Sequence, residues 1–163
     1  MVKKYAAAAA IMIVAALLVA FFPTEKRKAR RLLMNTAAWA SKTGDENPVV
    51  IAAKAGKAGR FFSPKVGFVY EKRELERELA IEDLQRGYLL LMRQKTRFKV
   101  MLADVEIEIT GEDTASAEAT VLIESEGGDS GDLSNVNEVA FELRKGDEGW
   151  RISGIRIREV LDK

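Results

Sequence analysis

The chain has 163 residues, 47% of them hydrophobic and 31% charged, a mixture that fits one folded domain with a short appendage and excludes an overall disordered chain. It contains no cysteine and no histidine, which excludes disulfides, thiolate nucleophiles, cysteine zinc sites and a lipidated cysteine, and removes the commonest general base and metal ligand. Residues 1–31 carry seven basic side chains and one acid, which leaves the remainder at a net −5 and makes nucleic acid an unexpected partner.

The N-terminal run Tyr5 to Phe22 has 18 residues without charge, Gly or Pro, and as a helix at 1.5 Å per residue it would span about 27 Å, close to the hydrocarbon thickness of a bilayer. Three readings compete: a cleaved signal peptide, a buried core helix and a retained single-pass anchor. A signal peptide would place bulky Leu18 at −3 and Ala20 at −1 of its cleavage site, and a core helix would show a polar face, so the anchor is preferred. Residues 1–23 are therefore expected to be the anchor and residues 24–163 the folded domain. Counting Lys and Arg on either side places the domain in the cytoplasm. The very short basic N-terminus is instead the layout of an exported signal-anchor, which is the preferred reading. The expected location is the inner membrane, with a periplasmic domain.

Thr24 predicts a helix N-cap, with Leu32, Leu33, Thr36, Ala37 and Ala40 on one face and Gly44 as the stop. The basic cluster Lys26 to Arg31 suits either anionic headgroups or a solvated first turn. Asn47-Pro48 predicts a second helix start, running toward Phe61 and Phe62 until Ser63-Pro64 ends it. Lys65 to Tyr70 reads as a connection, and Glu71 to Gln94 as a third helical stretch with Leu75, Leu79, Leu84, Tyr88 and Leu91 as its apolar stripe. Four charge pairs support it: Lys72–Glu76, Glu82–Arg86, Arg73–Glu76 and Glu74–Arg77.

After Lys95 the period becomes two. Phe98, Val100 and Leu102 have one parity and Val105, Ile107 and Ile109 the other, so a bulge is expected between Leu102 and Val105. Ala115, Ala117, Ala119, Val121 and Ile123 form the inward row of the next strand, and Val139, Phe141 and Leu143 that of a third. A final strand from Trp150 changes parity near Ser153-Gly154. Glu126 to Ser134 is a polar loop. Its Asp129-Ser130-Gly131-Asp132 has oxygen ligands but not the spacing of a calcium loop. Helices followed by antiparallel strands indicate α+β, and two strands that switch parity indicate a sharply curved sheet.

Asp104-Val105-Glu106-Ile107-Glu108-Ile109, the small-residue strand Thr114 to Ile123, and Phe141 to Lys145 leading into Gly149-Trp150-Arg151-Ile152 together resemble the nuclear transport factor 2-like superfamily of cystatin-like α+β cones. The resemblance covers residues 25–162. It implies about three helices packed against a strongly curved antiparallel sheet. The superfamily includes isomerases, dehydratases, polyketide cyclases, transport adaptors and membrane-tethered assembly factors, so fold leaves function open.

Enzymes of the ketosteroid isomerase kind need an acidic base and an acid or Tyr donor inside the cone. Here the inward rows are Val, Ile, Ala and Phe, while Asp104, Glu106, Glu108, Glu138 and Glu142 fall on the opposite parity, where Arg144, Arg151 and Arg156 offer cross-strand partners. Asp104 at the bend, Tyr70 and Tyr88 are the weak catalytic candidates, and no family site is carried over. Trp39, Phe61, Phe62, Tyr88, Phe141 and Trp150 are the candidates for lining a ligand pocket. No metal and no cofactor is expected, and the balance is against an enzyme. Two readings remain. One is a membrane-tethered interaction or assembly module, dimeric or docked on a protein partner. The other is a cone for a small apolar ligand, with isomerase or hydratase chemistry conceivable. A polar residue deep in an open cone would favour the second, and a cone filled by side chains the first.

Overall fold

The structure is a computed structural model and describes residues 24–44, 46–127 and 133–159. The elements in chain order are α1 (Glu25–Ala40), β1 (Lys42–Thr43), α2 (Pro48–Gly56), β2 (Phe62–Tyr70), β3 (Leu75–Ala80), α3 (Ile81–Gln94), β4 (Arg97–Ile109), β5 (Thr114–Glu126), β6 (Leu133–Gly146) and β7 (Gly149–Glu159). One seven-stranded sheet runs β1-β4-β5-β6-β7-β2-β3, antiparallel except where β2 lies parallel to β7. Three helices against one curved sheet make the α+β cone. The expected anchor Tyr5–Phe22 and the Asp129 to Asp132 loop lie outside the described residues. Among the described residues no helix is long and apolar enough to cross a membrane.

Both helix starts follow from capping. The Thr24 hydroxyl accepts from Arg27 N–H and the Asn47 side chain from Val49 N–H, with Pro48 in the first turn. α1 ends at Ala40 rather than Gly44. Ser41 Oγ donates to Ala37 O and accepts from Val100 N–H, which turns the chain onto the sheet and lets β1 pair with β4. α2 ends at Gly56, and a 3-10 turn, Ala58–Arg60, replaces its expected extension to Phe62.

The expected third helix needs a larger correction. Glu71–Arg73 is a 3-10 turn, Glu74 takes a left-handed φ of 48°, and Leu75–Ala80 is a strand. The expected connection Lys65 to Tyr70 is the second half of β2, and it pairs with β3 from Lys65↔Ala80 to Tyr70↔Leu75. The helix-forming residues of LERELA yield to this pairing, as local propensity does when a sheet edge is available. Of the expected helical charge pairs, only Glu82 and Arg86 share the helix, and Arg86 pairs with Asp83 at 3.8 Å. Across the β2–β3 hairpin Lys65 instead meets Glu78 at 2.7 Å. Pro64 does not end the segment. It occupies the stretch between Phe62 and Gly67 where the pairing of β2 with β7 is interrupted, so its missing N–H breaks no ladder bond there.

Both expected parity switches are present as bulges. In β4 the register shifts between Ala103 and Glu106, and Asp104 adopts φ 51°. In β7 the residue opposite Leu143 is Ile152 and the one opposite Glu142 is Gly154, leaving Ser153 over. A Cβ on Gly154 would lie 2.9 Å from Glu142 Oε2 and 3.1 Å from Glu142 Cβ, so a larger residue at the bulge would have to displace the exposed Glu142 side chain. These bulges bend the sheet around α1. The main core gathers Ala29 and Leu33 of α1 with Val66, Leu143, Trp150 and Ile152, and a smaller one joins Ile51, Ala55, Tyr88, Met92 and Phe98.

Candidate functional site

The concave face of the sheet does not close completely on α1. A cavity of about 230 Å³ remains between them. α1 contributes Leu33, Thr36, Ala37 and Ala40, the i, i+3, i+4, i+7 face of the helix. The two alanines set how much space remains. The sheet contributes Val100 and Leu102 from β4, Val121 and Ile123 from β5, Asn137, Val139 and Phe141 from β6, Ile152, Ile155 and Ile157 from β7, and Phe68 from β2. Among the described residues the lining holds no acid, base or tyrosine, and its polar side chains are Thr36 and Asn137. Thr36 Oγ1 donates to Leu32 O at 2.9 Å, a bond within its own helix.

Of the pocket residues expected from sequence, Phe141 lines this cavity. Trp39, Phe61, Phe62 and Tyr88 form a packed aromatic cluster beside it. Trp39 stacks on Tyr88 with centroids 4.6 Å apart and meets Phe61 at 5.4 Å and Phe62 at 5.8 Å. The Trp39 indole donates to Lys54 O at 2.8 Å, which ties α1 to α2. Trp150 is buried at the start of β7, where its indole donates to Glu25 Oε2 at 2.8 Å.

The weak catalytic candidates fall elsewhere and apart. The Tyr88 hydroxyl points to Trp39 O at 3.4 Å, and burial, with the nearby Glu46 carboxylate, pushes it up to about 12, so it stays protonated at neutral pH. Tyr70 ends β2 with the Arg73 guanidinium 5.7 Å from its ring centroid. Asp104 is exposed on the convex face, where with Glu106, Glu118, Thr120, Glu138 and Arg158 it lines a separate depression of about 180 Å³. The expected solvated acidic face is present there, but its ion pairs differ from those expected. Arg158 reaches Glu118 at 3.4 Å and Glu71 at 3.7 Å, and Arg156 reaches Glu71 at 3.6 Å. Among the described residues no three acidic side chains converge as metal ligands.

Sequence reading missed Asn137, although its signal was present. Asn137 has the parity of Val139, Phe141 and Leu143, which places it on the inward row of β6. It also missed Lys42. This lysine is 6% exposed, and its ammonium donates to Met92 O at 2.9 Å and Lys95 O at 2.8 Å, closing the C-terminus of α3.

No family model matches the chain, and no curated protein is similar enough in sequence to match. Solved structures do match in fold. A candidate aromatic ring hydroxylase from Novosphingobium aromaticivorans superposes with a TM-score of 0.66 at 15% identity, over 85% of this chain and 90% of that one. A candidate scytalone dehydratase from the same organism gives a TM-score of 0.66 at 10% identity, over 83% of each chain. A nuclear transport factor 2-like protein with a cystatin-like fold, also from N. aromaticivorans, gives 0.59 at 15% identity, over 91% of this chain and 88% of that one. At these identities the likeness concerns fold alone, and the chain has the α+β cone fold of nuclear transport factor 2-like proteins.

Proposed function

We propose that the domain binds a small, mainly apolar molecule in the cone. The observation that carries this reading is the cavity of about 230 Å³ lined by aliphatic and aromatic side chains at the centre of the fold. The pocket opens to solvent, and an apolar guest entering it would remove this apolar lining from water. The volume lies just below the roughly 300–1,000 Å³ of drug-sized ligand sites, which points to a single ring or a short chain. Two solved structures of the same fold, named as a candidate hydroxylase and a candidate dehydratase, are consistent with a small-molecule site. Of the two readings left open by the sequence, an open cone with a polar residue in its wall favours the ligand-binding one.

Thermal unfolding with toluene as the probe tests this. A ligand that binds only the folded state raises the midpoint with concentration. The expected result is a rise for the wild type and none for Ala37→Leu, whose larger side chain fills the space below α1. An unchanged wild-type midpoint, or an equal rise in the variant, would refute the cavity as the site.

We also propose that Tyr5–Phe22 tethers the domain to the inner membrane. Its support is the uncharged run itself, followed at once by Lys26, Arg27, Lys28, Arg30 and Arg31, all exposed on α1. The full chain is expected to stay in the membrane pellet after alkaline carbonate washing, and the chain from Thr24 onward to leave it. Release of the full chain by carbonate would contradict tethering.

A further inference from the structure

Asn137 is an anomaly in an otherwise apolar wall. It is 8% exposed and lines the cavity, and its side chain makes no hydrogen bond to any described residue. Its amide atoms are not sealed from solvent but face the open cavity, where water or a ligand can pair with them, whereas Leu, of similar size, would fill the same inward position of β6 without needing a partner. Thr36, the other polar group in the wall, spends its hydroxyl proton on Leu32 O. The amide of Asn137 therefore offers the cavity two N–H donors and one carbonyl acceptor, and nothing else in the lining competes for them.

Resting on the ligand-binding reading above, we infer that Asn137 is the polar anchor of the cone and selects a neutral ligand, one small apolar ring or chain bearing a single carbonyl or hydroxyl group. A carboxylate or ammonium ligand does not suit the site, because no ionisable side chain among the described residues lines it and a charge entering it would lose hydration unpaired. The same absence means that the lining supplies no group to move a proton to or from the bound molecule. On this account the cone recognises and holds its ligand.

The test compares three probes of similar size on the full-length chain: methylcyclohexane, cyclohexanone and cyclohexanecarboxylate. Because the two neutral probes differ in their own hydration, the readout is the ratio of cyclohexanone to methylcyclohexane affinity, compared between the wild type and Asn137→Leu. Asn137→Leu is expected to lower that ratio by roughly tenfold, and cyclohexanecarboxylate is expected not to bind at pH 7. A spectroscopic readout needs no variant: the Asn137 side-chain amide resonances should move with cyclohexanone and not with methylcyclohexane. An affinity ratio unchanged by Asn137→Leu, with unmoved Asn137 resonances, would overturn the anchor while leaving an apolar site in place. Preferred binding of the carboxylate would overturn the neutral-ligand assignment. Failure of every probe to bind would remove the cavity reading itself.

Discussion

Glu25 is the residue at which the first helix is fastened to the sheet. Its carboxylate meets Lys28 at 2.8 Å, the Trp150 indole at 2.8 Å and Lys145 at 3.3 Å. These donors, Lys28 first, hold it at about 2 against an ordinary 4.5. A carboxyl lowered in the folded state contributes stability above its ordinary value and loses it as pH falls through the folded one. The unfolding midpoint should therefore drop between about pH 4.5 and pH 2, and a Glu25→Gln chain should drop less over that window. Equal acid sensitivity in the two chains would contradict this role. Lys42 gives a second prediction. Lys42→Met leaves two buried helix-end carbonyls without their donor and should lower stability in urea unfolding by about 1–3 kcal/mol; a change within experimental error would show that the carbonyls find other donors. The caps Thr24 and Asn47 were legible from residue type and position alone, because a cap depends on its own next few residues. Lys42 was not legible. Its partners are 50 and 53 residues away in sequence, and nothing local marks them.

At the level of elements, the two bulges shape the cone, and both were readable as parity switches. Alternation is strict in a strand, so a single extra residue shows as a change of phase. The β4 bulge depends on Asp104 at φ 51°, a conformation that Asp tolerates and a β-branched residue resists. Asp104→Val should lower stability by about 1–2 kcal/mol, whereas Asp104→Gly should stay within about 0.5 kcal/mol of wild type. Equal losses in equilibrium unfolding would mean that the carboxylate, through its 3.5 Å contact with the Thr120 hydroxyl, matters more than the backbone. The hairpin of β2 and β3 was not legible. Leu75-Glu76-Arg77-Glu78-Leu79-Ala80 contains good helix formers with charges at helical spacing, and only its pairing with the adjacent β2, itself docked on the distant β7, decides for a strand. The aromatic residues were found as apolar but misplaced. Trp39, Phe61, Phe62 and Tyr88 pack on one another beside the cavity, and a one-dimensional pattern does not separate filling a core from lining a hole.

For the whole molecule, the cone follows from a curved sheet that one amphipathic helix does not fill. Ala37 and Ala40 give α1 the helical face the sequence announces, yet they are too small to reach the far wall, and the difference is the cavity. The inward rows of β5 and β6 were therefore legible and the void between them and α1 was not, because volume depends on how elements are spaced. The most direct test observes that void. Toluene titrated into the full-length chain should shift the δ-methyl resonances of Ile123, Ile152, Ile155 and Ile157, which line the cavity, and leave those of Ile51 and Ile109 in place. Shifts confined to the first set would establish the cone as a binding cavity, while no shift, or shifts spread equally over both sets, would contradict the account.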